Sequence, residues 1–167
     1  MPGSDALVAA ARAARDHARA EYSGFRVGAA LECADGTIVT GCNIENATYG
    51  LTVCAERVAL WKALSEGHRA FVRVAVVADT QVPTPPCGPC RQLLWEYAGD
   101  LEVVLANLER ETGRHQLAVL FPLPFDGSLL GGLGLGAGAC KNRFSGLGAR
   151  GSGGQRHTAE KRISLNA

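Results

Sequence analysis

The sequence predicts an α/β domain in which helices cover both faces of a mixed central sheet, forming a three-layer α-β-α sandwich. Three observations support this prediction. Helix-like and strand-like patterns alternate along residues 4–121. Asp35-Gly36 marks a hairpin turn between two strands, which makes one edge of the sheet antiparallel. The almost continuously apolar run 71–78 is typical of a strand that is buried on both faces in the middle of such a sheet.

The first predicted elements are a helix and a hairpin. Ser4 can cap a helix that runs to about residue 20 and carries apolar residues near one face. Side chains then alternate through residues 27–33, which predicts a strand, and the antiparallel return strand occupies residues 37–42. The apolar positions on the helix are Leu7, Val8, Ala11, Ala14 and Ala18.

The second half of the domain follows a strand–helix–strand order. Thr52 can cap a helix that Gly67 ends. A buried strand, a proline-rich loop and another helix then lead into a further strand, which predicts a right-handed parallel crossover. A short strand near Arg114 completes the pattern. The predicted ranges are a polar loop at 43–50, helices at 53–66, 88–97 and 117–121, and strands at 71–78 and 101–107.

The composition changes near residue 127, which predicts a folded domain at 1–127 and a disordered, basic tail at 128–167. Eleven of the 21 glycines lie from Gly127 onward, where large apolar residues are sparse. Such a segment buries too little surface to offset the entropy lost on ordering. From Leu129 onward the chain has six Lys and Arg residues against one Glu, whereas the preceding part has 11 basic and 15 acidic residues.

Charge and hydropathy exclude several classes of protein. The formal net charge is +1, and no run is long and apolar enough to span a membrane. The first 20 residues lack the apolar stretch of a secretory signal, and their acidic residues argue against a transit peptide. We therefore expect a cytoplasmic protein without a membrane partner. Its six cysteines are then expected to be reduced thiols and metal ligands rather than disulfides.

Three cysteines stand at the starts of predicted helices. Cys54 opens one helix, and Cys87 and Cys90 form a C-x-x-C pair at the next. Helix N-termini favour thiolates, and a C-x-x-C pair can reach one metal from a single turn. Three sulfur ligands suit Zn²⁺ and leave a fourth position open, as in catalytic sites. A C-x-x-C pair alone also fits a redox pair or half of a zinc knuckle, and Cys33 and Cys42 on strands are expected to pack.

Glu56 follows Cys54 by two residues, in the same first turn of the helix. A carboxylate there can take a proton from water that the metal activates and pass it on, which is the role of the non-ligating Glu in zinc deaminases. Pyrimidine deamination needs such a group, because ring N3 must be protonated and the amine must leave with an additional proton. Considered alone, Glu56 would be a solvated helix residue.

The sequence motifs resemble those of a known family. The segments FRVGAA (25–30), GCNIENATYG (41–50), CAER (54–57) and PCGPCRQ (86–92) appear in order and at family spacing. They resemble the cytidine deaminases in their homotetrameric, three-cysteine zinc form, and residues 120–125 match more loosely. The family often has Ser or Thr where this chain has Pro85. The role implied there belongs to a backbone carbonyl that receives the leaving amine, which proline retains.

The resemblance implies hydrolysis of cytidine or deoxycytidine to uridine or deoxyuridine and ammonia in pyrimidine salvage, by a homotetramer with one Zn²⁺ per chain. It implies that Asn43 and Glu45 bind the ribose and that Phe25 lies beside the pyrimidine. The backbone N–H of Ala55 would donate to the ring carbonyl, and a neighbouring subunit would lend Phe125 to the site. The alternatives are a loop-stabilising pair for the two polar residues and packing within the chain for the two aromatic ones.

Arg57 is predicted to tune the metal. Three thiolates on one Zn²⁺ leave a formal charge of −1, which weakens its action as a Lewis acid. Helix N-termini offset part of this charge, and the guanidinium groups of Arg57 and Arg91 can donate N–H bonds to sulfur. In the family the position of Arg57 neutralises the thiolates. The alternative is that Arg57 pairs with a surface carboxylate.

Two other functions remain open from the sequence. A related deaminase could act on an aminonucleoside antibiotic or on a base in RNA, but the predicted ribose-binding pair favours a free nucleoside. An RNA enzyme needs a basic channel, and the part of the chain before Leu129 is net acidic, so a nucleic-acid partner is not expected. A structural zinc module would not need Glu56 or an open metal position.

Overall fold

A computed structural model describes residues 4–130, in which helices and strands alternate as the sequence predicts. Two short 3₁₀ turns lie at Tyr49–Leu51 and Gly127–Leu130. The helices are α1 (Ser4–Arg15), α2 (Ala55–Ser65), α3 (Gly88–Ala98) and α4 (Leu117–Leu120). The strands are β1 (Val27–Cys33), β2 (Ile38–Cys42), β3 (Phe71–Ala78), β4 (Glu102–Ala106) and β5 (Glu111–Gln116).

The five strands form one mixed sheet in the order β2-β1-β3-β4-β5. The central pair β3 and β4 is parallel, as the strand–helix–strand pattern predicts, and the hairpin pair β1 and β2 is antiparallel. The second edge is also antiparallel, which the sequence pattern did not indicate. Asn107 causes the chain reversal, because its side-chain oxygen accepts the N–H groups of Glu109 and Arg110 at 2.9 and 2.8 Å.

Helix α1 alone covers one face of the sheet. Its apolar stripe packs on β1, β3 and β4, so β1 is buried on both faces. The closest approach is at Gly28, where an added Cβ would lie 2.0 Å from the carbonyl oxygen of Ala11. Glycine is therefore required at this position, because any side chain would push the helix off the sheet.

Helices α2, α3 and α4 cover the opposite face and enclose the larger core, so the predicted three-layer α-β-α class is confirmed. Gly41 of β2 allows α2 to pack closely, since an added Cβ would lie 2.4 Å from the backbone nitrogen of Ala59. The two helices that carry the predicted zinc ligands therefore lie side by side on the same layer.

Two helix boundaries differ from the sequence prediction for the same reason. Helix α1 ends at Arg15 rather than near residue 20, because Arg19 pairs through its backbone with the segment after β2. Helix α2 begins at Ala55 rather than at residue 53, because Val53 pairs with Ile44 in an isolated antiparallel bridge. In both places a tertiary backbone contact overrides a local helix pattern.

The predicted tail at 128–167 lies outside the described residues, apart from the 3₁₀ turn that ends at Leu130. The boundary at residue 127 and the disorder of the tail stay predictions. Within residues 4–130, no helix has the length and apolar character that a membrane crossing requires.

Candidate zinc centre and active site

The N-termini of α2 and α3 converge beside the sheet. Cys54 is the N-cap residue of α2, and Cys87 is the N-cap residue of α3. Cys90 lies in the first turn of α3 and is fully buried. Pro89 near the start of α3 fits this geometry, because the first helical N–H groups have no intrahelical partner. Two helix dipoles therefore point their positive ends at one group of sulfur atoms.

The three sulfur atoms fit a single zinc ion. Cys54 Sγ lies 3.8 Å from Cys87 Sγ, and Cys87 Sγ lies 3.4 Å from Cys90 Sγ. All three sulfurs lie within 4.8 Å of one another. Tetrahedral ligands at a zinc–sulfur distance of about 2.3 Å lie about 3.8 Å apart, so the donor set matches Zn²⁺ in both chemistry and spacing.

The cluster favours one thiolate even before a metal is considered. The pKa of Cys54 is lowered to about 5, because Cys90 and then Arg57 hydrogen-bond its sulfur. The pKa of Cys90 is raised, because its proton serves the hydrogen bond to Cys54 and because burial disfavours its charge. Binding of Zn²⁺ by the three sulfurs would require the remaining thiol protons to leave.

Arg57 reaches the cluster, whereas Arg91 makes backbone contacts elsewhere. Arg57 Nη2 donates to Cys54 Sγ at 3.4 Å, and its guanidinium lies 5.9 Å from the ring centre of Trp61. Within residues 4–130, no carboxylate forms an ion pair with Arg57. Arg91 instead donates to the carbonyl oxygens of Pro86 and Leu120, both at 2.6 Å. Arg91 thus holds the C-x-x-C loop against α4.

Glu56 is buried within the first turn of α2, with 5% of its surface exposed. Burial raises the pKa of this carboxyl group to about 7, and the negative charge of Cys54 adds to the effect. A group with such a pKa exchanges a proton readily near neutral pH, which suits general acid–base chemistry. The solvated-residue alternative does not fit this environment.

A cavity of about 170 Å³ opens directly onto Glu56 and the thiols. Phe25 and Asn43 line it together with the first residues of α2, and Pro85 lines it from the segment just before Cys87. The N–H of Ala55 has no acceptor within its own helix, because this residue is the first in α2. The cavity is lined by Phe25, Val27, Asn43, Thr52, Val53, Cys54, Ala55, Glu56, Val76, Thr84, Pro85 and Cys87.

Asn43 anchors the backbone on this wall of the cavity. Its side-chain oxygen accepts the N–H of Val27 at 2.8 Å, and its amide nitrogen donates to the carbonyl of Phe25 at 2.8 Å. The side chain is nevertheless a cavity wall and keeps one further N–H and one further lone pair. The loop-stabilising role of this residue is therefore visible, and its predicted sugar contact stays a prediction.

Glu45 lies at a neighbouring cavity of about 300 Å³, which adjoins the first at Thr52. The carboxylate accepts the backbone N–H groups of Tyr22 and Ser23 at 2.9 and 3.1 Å and the Ser23 hydroxyl. These bonds, led by that of the hydroxyl, lower the pKa of Glu45. Glu45 is thus an anion held in place at this second, outer cavity.

Phe125 does not reach either cavity of its own chain. Its side chain is 57% exposed, while Gln92 Nε2 donates to its carbonyl oxygen at 2.7 Å and holds the backbone against α3. Nothing in the sequence pattern indicates this role for Gln92. An exposed ring on a backbone that is held in place agrees with the expectation that Phe125 serves a neighbouring subunit, which stays a prediction.

The family is decided by comparison with known proteins. A sequence model described as the cytidine and deoxycytidylate deaminase zinc-binding region matches residues 2–106. The chain belongs to this family. It is therefore a zinc-dependent hydrolytic deaminase, as the motifs around Cys54 and Cys87 predict.

Relatives of this deaminase family align along most of their length. The cytidine deaminase of Halalkalibacterium halodurans is 51% identical over 120 residues, which cover 71% of this chain and 91% of that protein. The cytidine deaminase of Sporosarcina psychrophila is 49% identical over 120 residues, covering 71% and 88%. A crystal structure of cytidine deaminase from Burkholderia pseudomallei has a TM-score of 0.71 at 48% identity, covering 75% of this chain and all of that one.

Proposed function

We propose that this chain hydrolyses the 4-amino group of free cytidine or deoxycytidine, giving uridine or deoxyuridine and ammonia, with Glu56 moving the protons. The observation that carries the proposal is the placement of one buried carboxylate, Glu56, in the same small cavity as Cys54 and Cys87, whose sulfurs cluster with that of the buried Cys90. The thiols of Cys54, Cys87 and Cys90 would hold Zn²⁺, which supplies the activation of water for attack on the ring carbon. The deaminase names of its relatives agree with this substrate class.

Glu56 serves as a proton shuttle. It accepts one proton from the attacking water and delivers it to ring N3, and it then transfers the second proton to the departing amine. In the metal-free protein, burial raises the pKa of this carboxyl group to about 7. Acid–base groups whose pKa lies near the working pH exchange protons most readily. One water is consumed and one ammonia is released, so the carboxylate ends the cycle as it began.

The remaining walls orient the nucleoside. The free N–H of Ala55 would donate to the ring carbonyl, and Phe25 would pack beside the ring. The backbone carbonyl of Pro85 would receive the leaving amine. Asn43 at the inner wall and Glu45 at the outer cavity would bind the ribose hydroxyls, since amide and carboxylate groups are suitable partners for a hydroxyl.

An absorbance assay tests the substrate. The purified protein is incubated with cytidine, deoxycytidine, an aminonucleoside antibiotic and a short single-stranded RNA, and pyrimidine absorbance and ammonia are followed together. We expect turnover of the two free nucleosides, abolished by a zinc chelator and restored by Zn²⁺. Turnover of the antibiotic or the RNA alone would replace this proposal with one of the alternative deaminase functions.

The proposed assembly is a homotetramer in which Phe125 completes a neighbouring active site. Its support is the exposed Phe125 ring, together with other exposed large apolar side chains such as Tyr49, Leu51 and Trp61. Sedimentation measures the assembly size directly. A mixing experiment tests whether Phe125 contributes to the active site of a neighbouring subunit, because Phe125→Ala chains retain Glu56 while Glu56→Gln chains retain Phe125.

If the ring is lent between subunits, reassembled mixtures of the two variants regain activity that neither has alone. If Phe125 acts within its own chain, mixing restores nothing. A fully active monomer would also end the proposal.

We further propose that the deaminase domain ends near residue 127 and that the enzyme works in the cytoplasm. The five cysteines among residues 4–130 are all free thiols, which agrees with a reducing compartment. The predicted tail at 128–167 is not assigned a part in the reaction.

A further inference from the structure

A second group of metal-ligating side chains lies at the other end of the sheet. Cys33 is the last residue of β1, Asp35 lies in the turn between β1 and β2, and His68 follows the end of α2. The sulfur, a carboxylate oxygen and a ring nitrogen of these three residues all lie within 4.8 Å of one another. The active-site cavity touches Val27 at the opposite end of β1, about 20 Å away along a seven-residue strand.

The hairpin turn fixes two of the three side chains. The N–H of Cys33 donates to the carbonyl of Thr37 at 2.8 Å, and the N–H of Gly36 donates to the carbonyl of Cys33 at 2.9 Å. Asp35 Oδ1 accepts the N–H of Thr37 at 2.9 Å. The other oxygen, Oδ2, faces the imidazole instead, 3.7 Å from Nδ1 of His68.

The end of α2 fixes the third side chain. Gly67 has φ +96°, and the N–H groups of Gly67 and His68 donate to the carbonyls of Leu64 and Ala63 at 3.2 and 3.0 Å. This pair of bonds is the Schellman arrangement, in which glycine is favoured because φ is positive. The imidazole is thus placed against the hairpin by backbone bonds and not by its own weak contact with Asp35.

The surroundings of the cluster are negatively charged. Cys33 is 1% exposed, and burial followed by the charges of Asp35, Glu66 and Glu32 raises the pKa of its thiol. A cation would relieve this repulsion by displacing the thiol proton. The side chains of His68 and Asp35 are 21% and 60% exposed, which gives an ion access from solvent.

We propose that Cys33, Asp35 and His68 form a second metal site that binds a divalent ion of the zinc type. One sulfur, one nitrogen and one oxygen ligand suit Zn²⁺ or Co²⁺ and do not suit Mg²⁺ or Ca²⁺, which prefer sets of oxygen ligands. An ion bound there clamps the β1–β2 hairpin to the C-terminal end of α2. The same helix carries Cys54 and Glu56 at its other end, so the clamp steadies the element that positions the active site.

Metal counting in the full-length holoenzyme tests the site. Free Zn²⁺ is raised in steps and bound zinc per chain is measured by mass spectrometry after rapid desalting, with Co²⁺ spectra as a parallel probe of thiolate ligation. We expect the wild type to take up a second equivalent and its melting temperature to rise as this equivalent binds. In the Co²⁺ titration, the second phase adds thiolate-to-metal charge-transfer intensity.

Surface variants identify the ligands without disturbing the core. His68→Gln and Asp35→Asn are each expected to weaken the second equivalent by at least about tenfold, to keep the first equivalent, and to leave cytidine turnover within about twofold of wild type. Cys42→Ser is the matched control, because Cys42 is a strand cysteine outside both clusters, and it should keep both equivalents. Saturation of the wild type at a single equivalent would overturn the proposal. A second equivalent that keeps its affinity in either surface variant would overturn it as well.

Discussion

The two faces of the sheet each bury a carboxylate, and the partners of these carboxylates differ. Glu32 lies on the face that α1 covers and is fully buried, and its carboxylate is paired with the guanidinium of Arg73 on the next strand. Glu56 lies on the other face with 5% exposure, and its neighbours include Cys54, Cys90 and Arg57. The carboxylate of Glu32 is thus bound to a cation on the neighbouring strand, whereas burial dominates the environment of Glu56 and raises its pKa to about 7, where a group can exchange protons.

The two helix layers differ in the same way, since one contributes packing and the other also forms the active site. Helix α1 provides packing on a face where Gly28 allows close approach. Helices α2 and α3 also pack, but they direct their N-termini at one point, so unpaired N–H groups and dipoles converge on Cys54 and Cys87. The chemistry therefore belongs to the layer in which two helix starts meet, and the other layer supports it.

The largest effect is expected from removing a zinc ligand. Cys87→Ala leaves only two thiols near each other, too few for a stable site. We expect loss of zinc and of all measurable turnover, with a strong fall in melting temperature, because metal binding contributes to folding. Metal analysis of the purified variant is the direct measurement, and Cys42→Ser serves as the control. A Cys87→Ala protein with full zinc occupancy would show that the ion is held elsewhere.

The next largest effect is expected from replacing Glu56, the buried carboxylate in the active-site cavity. Glu56→Gln keeps the size of the side chain and removes its ability to carry protons. We expect retained zinc and fold, with turnover reduced by about 10²–10⁴-fold. Steady-state kinetics and zinc content measured on the same preparation separate chemistry from metal loss. Turnover within threefold of wild type would remove Glu56 from the mechanism.

The stability of the metal-free protein sharpens the contrast between the two carboxylates. The pKa of Glu56 is about 7 in the folded protein, and the ordinary value is 4.5. The free energy of unfolding is therefore highest where Glu56 is protonated in both states, at low pH, and it falls as pH rises from 4.5 to 7. Above that pH the ionised carboxylate costs about 3 kcal/mol of unfolding free energy. Glu56→Gln should therefore stabilise the metal-free protein at pH 8 and much less at pH 5, as measured by urea unfolding.

Glu32→Gln should act in the opposite direction. It removes the charge that pairs with Arg73, and we expect a loss of about 1–3 kcal/mol at pH 8. Turnover per folded molecule should not change, because Glu32 lies on the face remote from the cavity. Equal stability changes in the two variants, or the same change at both pH values for Glu56→Gln, would contradict this interpretation of the two environments.

The sequence predicted the parts of the site that depend on spacing along one helix. Cys54 and Glu56 share a turn of α2, and Cys87 and Cys90 share a turn of α3, so their proximity follows from helix geometry alone. The prediction that the two helix starts meet at one metal came from the three cysteines considered together, and the family resemblance then supported it. The sequence did not reveal the hydrogen bonds that tie Asn43 to Val27 and Phe25, because these depend on how the loop meets β1.

The differences in the fold have a similar cause. The local pattern extended α1 to about residue 20 and α2 back to residue 53, and long-range backbone pairing ended both helices earlier. The antiparallel edge at β5 depends on the turn at Asn107. The hydrogen bonds that the side-chain oxygen of Asn107 accepts in this turn are visible only in the three-dimensional structure. The second metal cluster joins Cys33 to His68 across 35 positions, and no sequence spacing indicates that contact.

Arg57 is expected to have a moderate effect. Its guanidinium donates to Cys54 Sγ, and its positive charge offsets the thiolates. Arg57→Gln should retain zinc, lower turnover by about tenfold, and move the acidic limb of the pH–rate profile upward, because the group that loses a proton then does so at higher pH. Arg69→Gln is the matched control, because Arg69 Nη1 donates to the carbonyl oxygens of Leu64 and His68 at 2.7 and 2.8 Å, at the C-terminal end of α2 and away from the thiols. An unchanged profile with wild-type turnover would show that Arg57 does not act on the metal.

The smallest effect is expected from removing the C-terminal segment. Truncation after Leu130 keeps every contact described above, including the bonds from Gln92 to the Phe125 carbonyl and from Trp95 to Asp126. The sequence removed is rich in glycine and poor in large apolar residues, so it has little surface to bury. We expect unchanged turnover and a melting temperature within about 2 °C of the full chain.

A second truncation, after Leu120, is the matched comparison for this last prediction. It removes Phe125 and the segment that Gln92 holds against α3, so it should lower turnover and alter the assembly size even if the zinc is retained. Calorimetry and sedimentation on both truncated proteins distinguish the two segments. If the truncation after Leu130 already lowers the melting temperature by many degrees, the removed basic segment packs on the domain and the predicted boundary at residue 127 is wrong.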